Sequence, residues 1–298
     1  MSASGNDQET YRGFLGTSKY SSRDRDKIIP EAKGIFNFLR RCTCYNSQYT
    51  DSSNGRHPSG VSISERSPSG KRAFLCGVSY KGQKFKLKGA INDVHSMKDL
   101  LVKQFSFPVD SILILSGHGL RQPDFDGDEK DGFHETICPV DFQSKGMIFD
   151  NYINEKIVRP LKPGVTLHAI VDSCHSGTVL DLPIVYNENN GKWEDNRPPS
   201  GASKDTNGGK AICFSACEDY QLAADTSALS PKKDMTGAMT YTFVKAIKDA
   251  ITNNQIITYR GILDSMHKTL DKDSKEGCLH EPLLSSSEEF NLNREFKL

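Results

Sequence analysis

TLHAIVDSCHSG, residues 166–177, joins an apolar run to a turn of Asp, Ser and Gly. The run has the length and composition of a buried strand, and the turn ends it. SILILSGHG, residues 111–119, has the same form. Two more apolar runs, AFLCGVSY at 73–80 and AICFSAC at 211–217, also read as strands. Between and after them lie helical patterns. At 92–105 Val94, Met97, Leu100, Leu101 and Phe105 recur at helical spacing, and 238–251 and 257–272 follow suit. Asn92 or Asp93 is the expected cap of the first helix. PLLSSSEEFNL, 282–292, is an expected edge strand. Strands alternating with helices imply an α/β fold on a mostly parallel central sheet. Sites in such sheets form at the carboxyl ends of strands. Here those ends are SGHG and DSCHSG.

The 298 residues carry zero formal net charge, so no bulk electrostatic pull toward nucleic acid or anionic membrane is expected. No stretch approaches the roughly 18 apolar residues of a membrane span. The eight cysteines show no framework spacing, and the polar start has no signal-like apolar region. The expectation is a cytoplasmic or nuclear protein with reduced thiols. Residues 1–70, rich in Ser, Gly, Asn, Asp and Arg, read as largely disordered, apart from a short helix within KGIFNFLRRC, 33–42. Order begins near residue 71. The polar stretch 187–209, with Pro-Pro and several Gly, reads as an exposed linker between a part spanning 71–186 and another spanning 210–298. Nicking concentrates in such loops. Lys192, Arg197, Lys204 and Lys210 would be open to a protease specific for basic residues.

A nucleophilic cysteine needs an imidazole to share its proton and backbone donors for the oxyanion. Cys174 leaves its strand for a small-residue turn. His118, between Gly117 and Gly119, has neighbours that leave room for a substrate. His175 is a rival base, but adjacent side chains of an extended chain point to opposite faces. His168, inside the strand, is expected to be a packed core histidine. From these residues alone, a Cys174–His118 dyad stands beside the reading of two unrelated residues.

From Arg72 onward the chain carries RAFLCGVSYKG, LKGAINDV, SGHG, GDEKDGFHETICPVDF, GMIFDNYIN, RPLKPGVTLHAIVDSCHSGTVLDLP, GKWEDNRPPSG, FSACEDYQLAADTSAL and TGAMTYTFVKAI. In these motifs it resembles a type I metacaspase of the plant kind, in the caspase-like clan of cysteine peptidases. The separation of His118 from Cys174 is also close to the roughly 50 residues seen in caspases. The resemblance implies a caspase-like sandwich, a mostly parallel sheet flanked by helices. It makes Cys174 the nucleophile and His118 its partner, with the N–H groups of Cys174 and Gly119 as the oxyanion hole. Asp172 and Asp93 become the floor of a pocket for Arg or Lys at P1, lined also by Ser116. A buried guanidinium or ammonium calls for such carboxylates. Self-processing of a zymogen in the linker or N-terminal segment is implied, as are protein substrates, other metacaspases as partners, and a role in programmed cell death.

Calcium is the activator that the resemblance implies. Its ligand positions fall on His134, Asp150 with Asn151, and Asp181, with His134 and Asn151 replacing expected Asp. Two lost carboxylates imply a weakened site and weak or absent calcium dependence. DFDGDEKDGFHE, 124–135, puts Asp124, Asp126, Asp128 and Glu135 at EF-hand positions, but Glu129 stands where the turn needs Gly, so it reads as an acidic surface loop. Residues 1–70 lack the zinc-finger cysteines of plant relatives, and Ala90 stands where the family has Cys. SILIL also runs straight into SGHG, where the family has a helix and a strand between, so the fold is expected to be one strand and one helix short. SILIL then either keeps its family position or takes the missing strand's place beside the Cys174 strand. In the second case the helix at 92–105 covers the other sheet face and its apolar stripe is presented to unmatched partners. The alternative to a working peptidase is a catalytically impaired isoform acting as a binding or regulatory decoy.

Overall fold

The structure is a computed structural model. It describes residues 71–298 except 72, 74, 85, 108–113, 126, 174–176, 217–224, 227–235 and 274–280. The expectations for residues 1–70 lie outside the described residues.

The first part holds β1 (Leu75–Gly77), α1 (Ala90–Phe105), β2 (Ile114–Ser116), β3 (Gly119–Pro123) and β4 (Phe133–Ile137). It continues through α2 (Phe142–Lys145), β5 (Ile148–Phe149) and α3 (Asp150–Ile153), which runs into a π-helical turn, Asn154–Val158, and then β6 (Thr166–Val171). The second holds the β7–β8 hairpin (Ile184–Asn187, Lys192–Asp195), β9 (Lys210–Ser215), and the short pair β10 (Asp225–Thr226) and β11 (Thr236–Gly237). Helices α4 (Ala238–Thr252) and α5 (Tyr259–Asp273) and strand β12 (Leu283–Ser286) complete it.

The main sheet among the described residues has the order β6-β9-β12-β7-β8. Strand β6 runs parallel to β9, in register from Thr166↔Lys210 to Val171↔Ser215, while β12 is antiparallel to both β9 and β7. The fold is α/β with helices against the sheet, and the ladder is mixed where a mostly parallel one is expected. The reason is local: β7 and β8 are joined by a tight turn, which permits only antiparallel pairing. Asn187 builds that turn by accepting the N–H groups of Asn189 and Asn190, and Gly191 takes a positive φ of 69°. The linker expectation is corrected here, since 192–195 form a strand of the sheet. Strand β12 is corrected too. Its serines suggest an edge, yet it lies between β9 and β7 with Leu284, Ser285 and Ser286 buried.

Along β9, Ile212 and Phe214 belong to one apolar cluster and Ala211 and Cys213 to another. Alternate residues of a strand face opposite ways, so the sheet is covered on both faces. The first cluster gathers Met97, Leu100 and Leu101 of α1, Phe243 and Ile247 of α4, and Ile262, Leu263 and Met266 of α5. Each fully buried side chain of this kind contributes roughly 1.5–3 kcal/mol. Strand β2 pairs in parallel with β1 and runs close to β6. The described end of SILIL, Ile114 and Leu115, thus lies beside the Cys174 strand, and the α1 stripe, expected to face unmatched partners, is instead buried against α4. Asn92 and Asp93 do not cap α1, which starts at Ala90 with Gly89 as N-cap and no side-chain cap bond.

Candidate active site

His118 sits half-buried in the short connection between β2 and β3, at the carboxyl end of the β1–β2 pair. Tyr80, 1% exposed, is its principal neighbour. The Tyr80 hydroxyl accepts the His118 N–H at 2.8 Å and donates to the Cys138 carbonyl at 2.6 Å. Cys138 in turn donates its N–H to the His118 carbonyl at 2.9 Å. The two rings lie 4.7 Å apart, tilted by 35°. Gly117 makes this approach possible, because a Cβ there would lie 3.2 Å from the Tyr80 hydroxyl. Tyr80 itself adopts a left-handed backbone, φ 47°, uncommon for an aromatic residue. Sequence reading overlooked Tyr80, although it stands in the GVSY run; its signal is the motif alone, since its partners lie far along the chain.

Gly119 is the buried first residue of β3, opposite Ile137. Ser116 ends β2, its backbone in register with Gly77. Cys174 and His175 lie outside the described residues, as does the Ser116 side chain. His168 is the packed histidine expected of it. Its Nε2 meets the Tyr259 hydroxyl at 2.6 Å, and burial, with Arg294 assisting, lowers its pKa to about 4.

Asp172 and Asp93 converge on the start of α4. Asp172 Oδ2 accepts the Thr240 N–H at 2.8 Å, and Asp93 accepts the Gly237 N–H at 3.0 Å and the Thr236 hydroxyl. Both are nearly closed to solvent, at 6% and 1% exposure. Two carboxylates at a helix N-terminus complement its unsatisfied N–H groups and its dipole. A Cβ on Gly237 would lie 2.1 Å from Asp172 Oδ2, so glycine is what lets the carboxylate close on the backbone.

The residues at the calcium positions assemble elsewhere, between β4, α3 and the turn at 178–181. Asp150, 0% exposed, accepts the N–H groups of Glu135 at 2.6 Å and Asn151 at 2.7 Å. Asp181, with φ 52°, ion-pairs with Lys204. His134 Nδ1 lies 3.3 Å from Glu129 and 3.5 Å from Asp150, while Nε2 lies 3.5 Å from Asp124. Burial opposes a charged His134, but Asp150 and Glu129 outweigh it and push its pKa up to about 10. The loop 124–135 is thus not simply an acidic surface. Phe125 is exposed, whereas Asp124, Glu129, His134 and Glu135 turn inward. Of the linker cations, Lys192, Arg197 and Lys210 reach solvent, but Lys204 is 4% exposed, which corrects its reading as an open cleavage point. No helix among the described residues is long and apolar enough to cross a membrane.

These features coincide with a known family. The description "Metacaspase, peptidase C14 domain" matches residues 71–116 and 108–183. The chain is 44% identical to metacaspase-1 of Arabidopsis thaliana over 247 positions, covering 70% of this chain and 66% of the relative. It is 42% identical to metacaspase-3 of the same plant, covering 76% of this chain and 75% of that one. A solved structure, protein GSU0716 from Geobacter sulfurreducens, aligns at 18% identity and a TM-score of 0.44, over 75% of this chain and 97% of that one. The chain belongs to the metacaspase family of cysteine peptidases. The two matched stretches overlap at 108–116, so β2 answers to two places in the family pattern. The 247 aligned positions also exceed the residues in 70% of 298, so the relative carries residues that this chain lacks.

Proposed function

We propose that the chain is an endopeptidase cutting after Arg or Lys. Cys174 Sγ attacks the carbonyl carbon of the P1 residue, and the N–H groups of Gly119 and Cys174 hold the oxyanion. His118 protonates the leaving amine, which leaves a thioester. Water attacks the thioester, His118 takes its proton, and the thiolate departs. Asp93, Asp172 and Ser116 receive the basic side chain, and Lys192 or Arg197 offers a first self-cleavage point. The observation that carries this reading is the Tyr80–His118 arrangement. It holds the histidine at the carboxyl end of β2, the strand beside β6, and β6 leads directly to Cys174.

One observation favours the decoy reading: Asp93 and Asp172 already accept N–H groups from the start of α4 and are closed to solvent. Hydrolysis of a fluorogenic peptide with Arg at P1 separates the two. Turnover that disappears in Cys174→Ala and is absent with an Asp-P1 peptide establishes the peptidase. A folded, soluble protein that binds the Arg peptide without cutting it establishes the decoy.

A further inference from the structure

The position where the family's calcium is expected does not fit a calcium ion in this chain. The Lys204 ammonium stands among the acceptors such an ion would need. It contacts Asp181 Oδ2 and Asn151 Oδ1, and lies 3.4 Å from Glu129 Oε1. An ammonium has three donors and no acceptor, so three oxygens complete its shell. Apart from the half-buried Asn151, these groups are removed from bulk water or nearly so, with Asp181 at 2%, Lys204 at 4% and Glu129 at 9% exposure. Burial of that depth is rare for lysine unless the charge is paired. The backbone is held as firmly as the side chain. Asn154 Nδ2 donates to the carbonyls of Leu180, Asp181 and Lys204, and Arg159 donates to the carbonyl of Ser203.

We infer that Lys204 is the resident cation of this carboxylate cluster, taking the place of a divalent ion and fastening the linker to α3 and the turn at 178–181. The inference stands whether or not the chain cuts peptides. It has a consequence for processing. A cut after Lys192 or Arg197 lies upstream of Lys204, so the ion pairs still tie the downstream piece to the upstream one. The chain stays assembled across the break.

The test is thermal melting of the purified full chain in EDTA and in millimolar CaCl2. The unchanged protein shows the same midpoint in both. Lys204→Met melts lower in EDTA and regains stability with CaCl2 in a saturable manner. A saturable calcium rise in the unchanged protein, or a Lys204→Met variant indifferent to calcium, overturns the inference. Should that variant not fold, acetylation of the unchanged protein with a water-soluble amine reagent decides, read by mass spectrometry. Lys204 is labelled at least tenfold more slowly than Lys192 with or without CaCl2, and labelling at the rate of Lys192 overturns the inference.

Discussion

Two regions of this molecule bury carboxylates, and they neutralise them differently. At the start of α4, Asp93 and Asp172 meet backbone N–H groups and the positive end of a helix dipole. Around α3, Asp150, Asp181 and Glu129 meet the side-chain cations Lys204 and His134. The partners described at the first site are backbone dipoles, which carry only partial positive charge. The second closes on itself. A buried acid is therefore not by its burial a binding group; what matters is whether its compensating charge is already a full one.

The largest break in this contrast is Asp150→Ala. It strips His134 of a counter-charge and the Glu135 N–H of its acceptor, and should cost about 3–5 kcal/mol, the range for breaking a buried pair. A urea midpoint measures it. Gly237→Ala comes next. The new Cβ collides with Asp172, held by Thr240, and overpacking of this severity costs about 3 kcal/mol.

His168 sharpens the comparison by showing a third solution, in which a buried base sheds its proton. Its folded pKa of about 4 lies below the unfolded value near 6.5. The unfolded state therefore binds more protons between those values. Stability is full above pH 6.5, falls as pH drops toward 4, and levels below it. At pH 5 the loss reaches up to about 2 kcal/mol, and His168→Gln should flatten it. Urea midpoints at pH 7 and 5 give the difference.

The smallest stability effect belongs to Asp93→Asn, which keeps an acceptor for Gly237 but removes charge at the helix start, at a cost of about 1 kcal/mol. Its effect on KM for an Arg-P1 peptide should be far larger, at least tenfold. A KM that moves no more than the stability does would reduce Asp93 to a helix anchor.

Much of the fold was legible because the signals are local. The apolar runs at 73–80, 111–115, 166–174 and 211–217 overlap β1, β2, β6 and β9, and the helical spacings overlap α1, α4 and α5. The site was legible only through motifs. No periodicity singles out Tyr80, and Asp93, expected to cap its own helix, instead binds the backbone at the start of a helix more than a hundred residues away.

By itself the sequence determined the family and the alternation of strands and helices, and it proposed Cys174, His118, Asp172 and Asp93 as the site, because short-range pattern and motif are written along the chain. Tertiary structure alone decided that β12 lies inside the sheet, that β2 sits beside β6, and that Lys204, in a stretch of loop composition, ends inside a carboxylate cluster. Such outcomes depend on which distant groups share one low-dielectric space, and a charge there is stable only when its partners arrive with it.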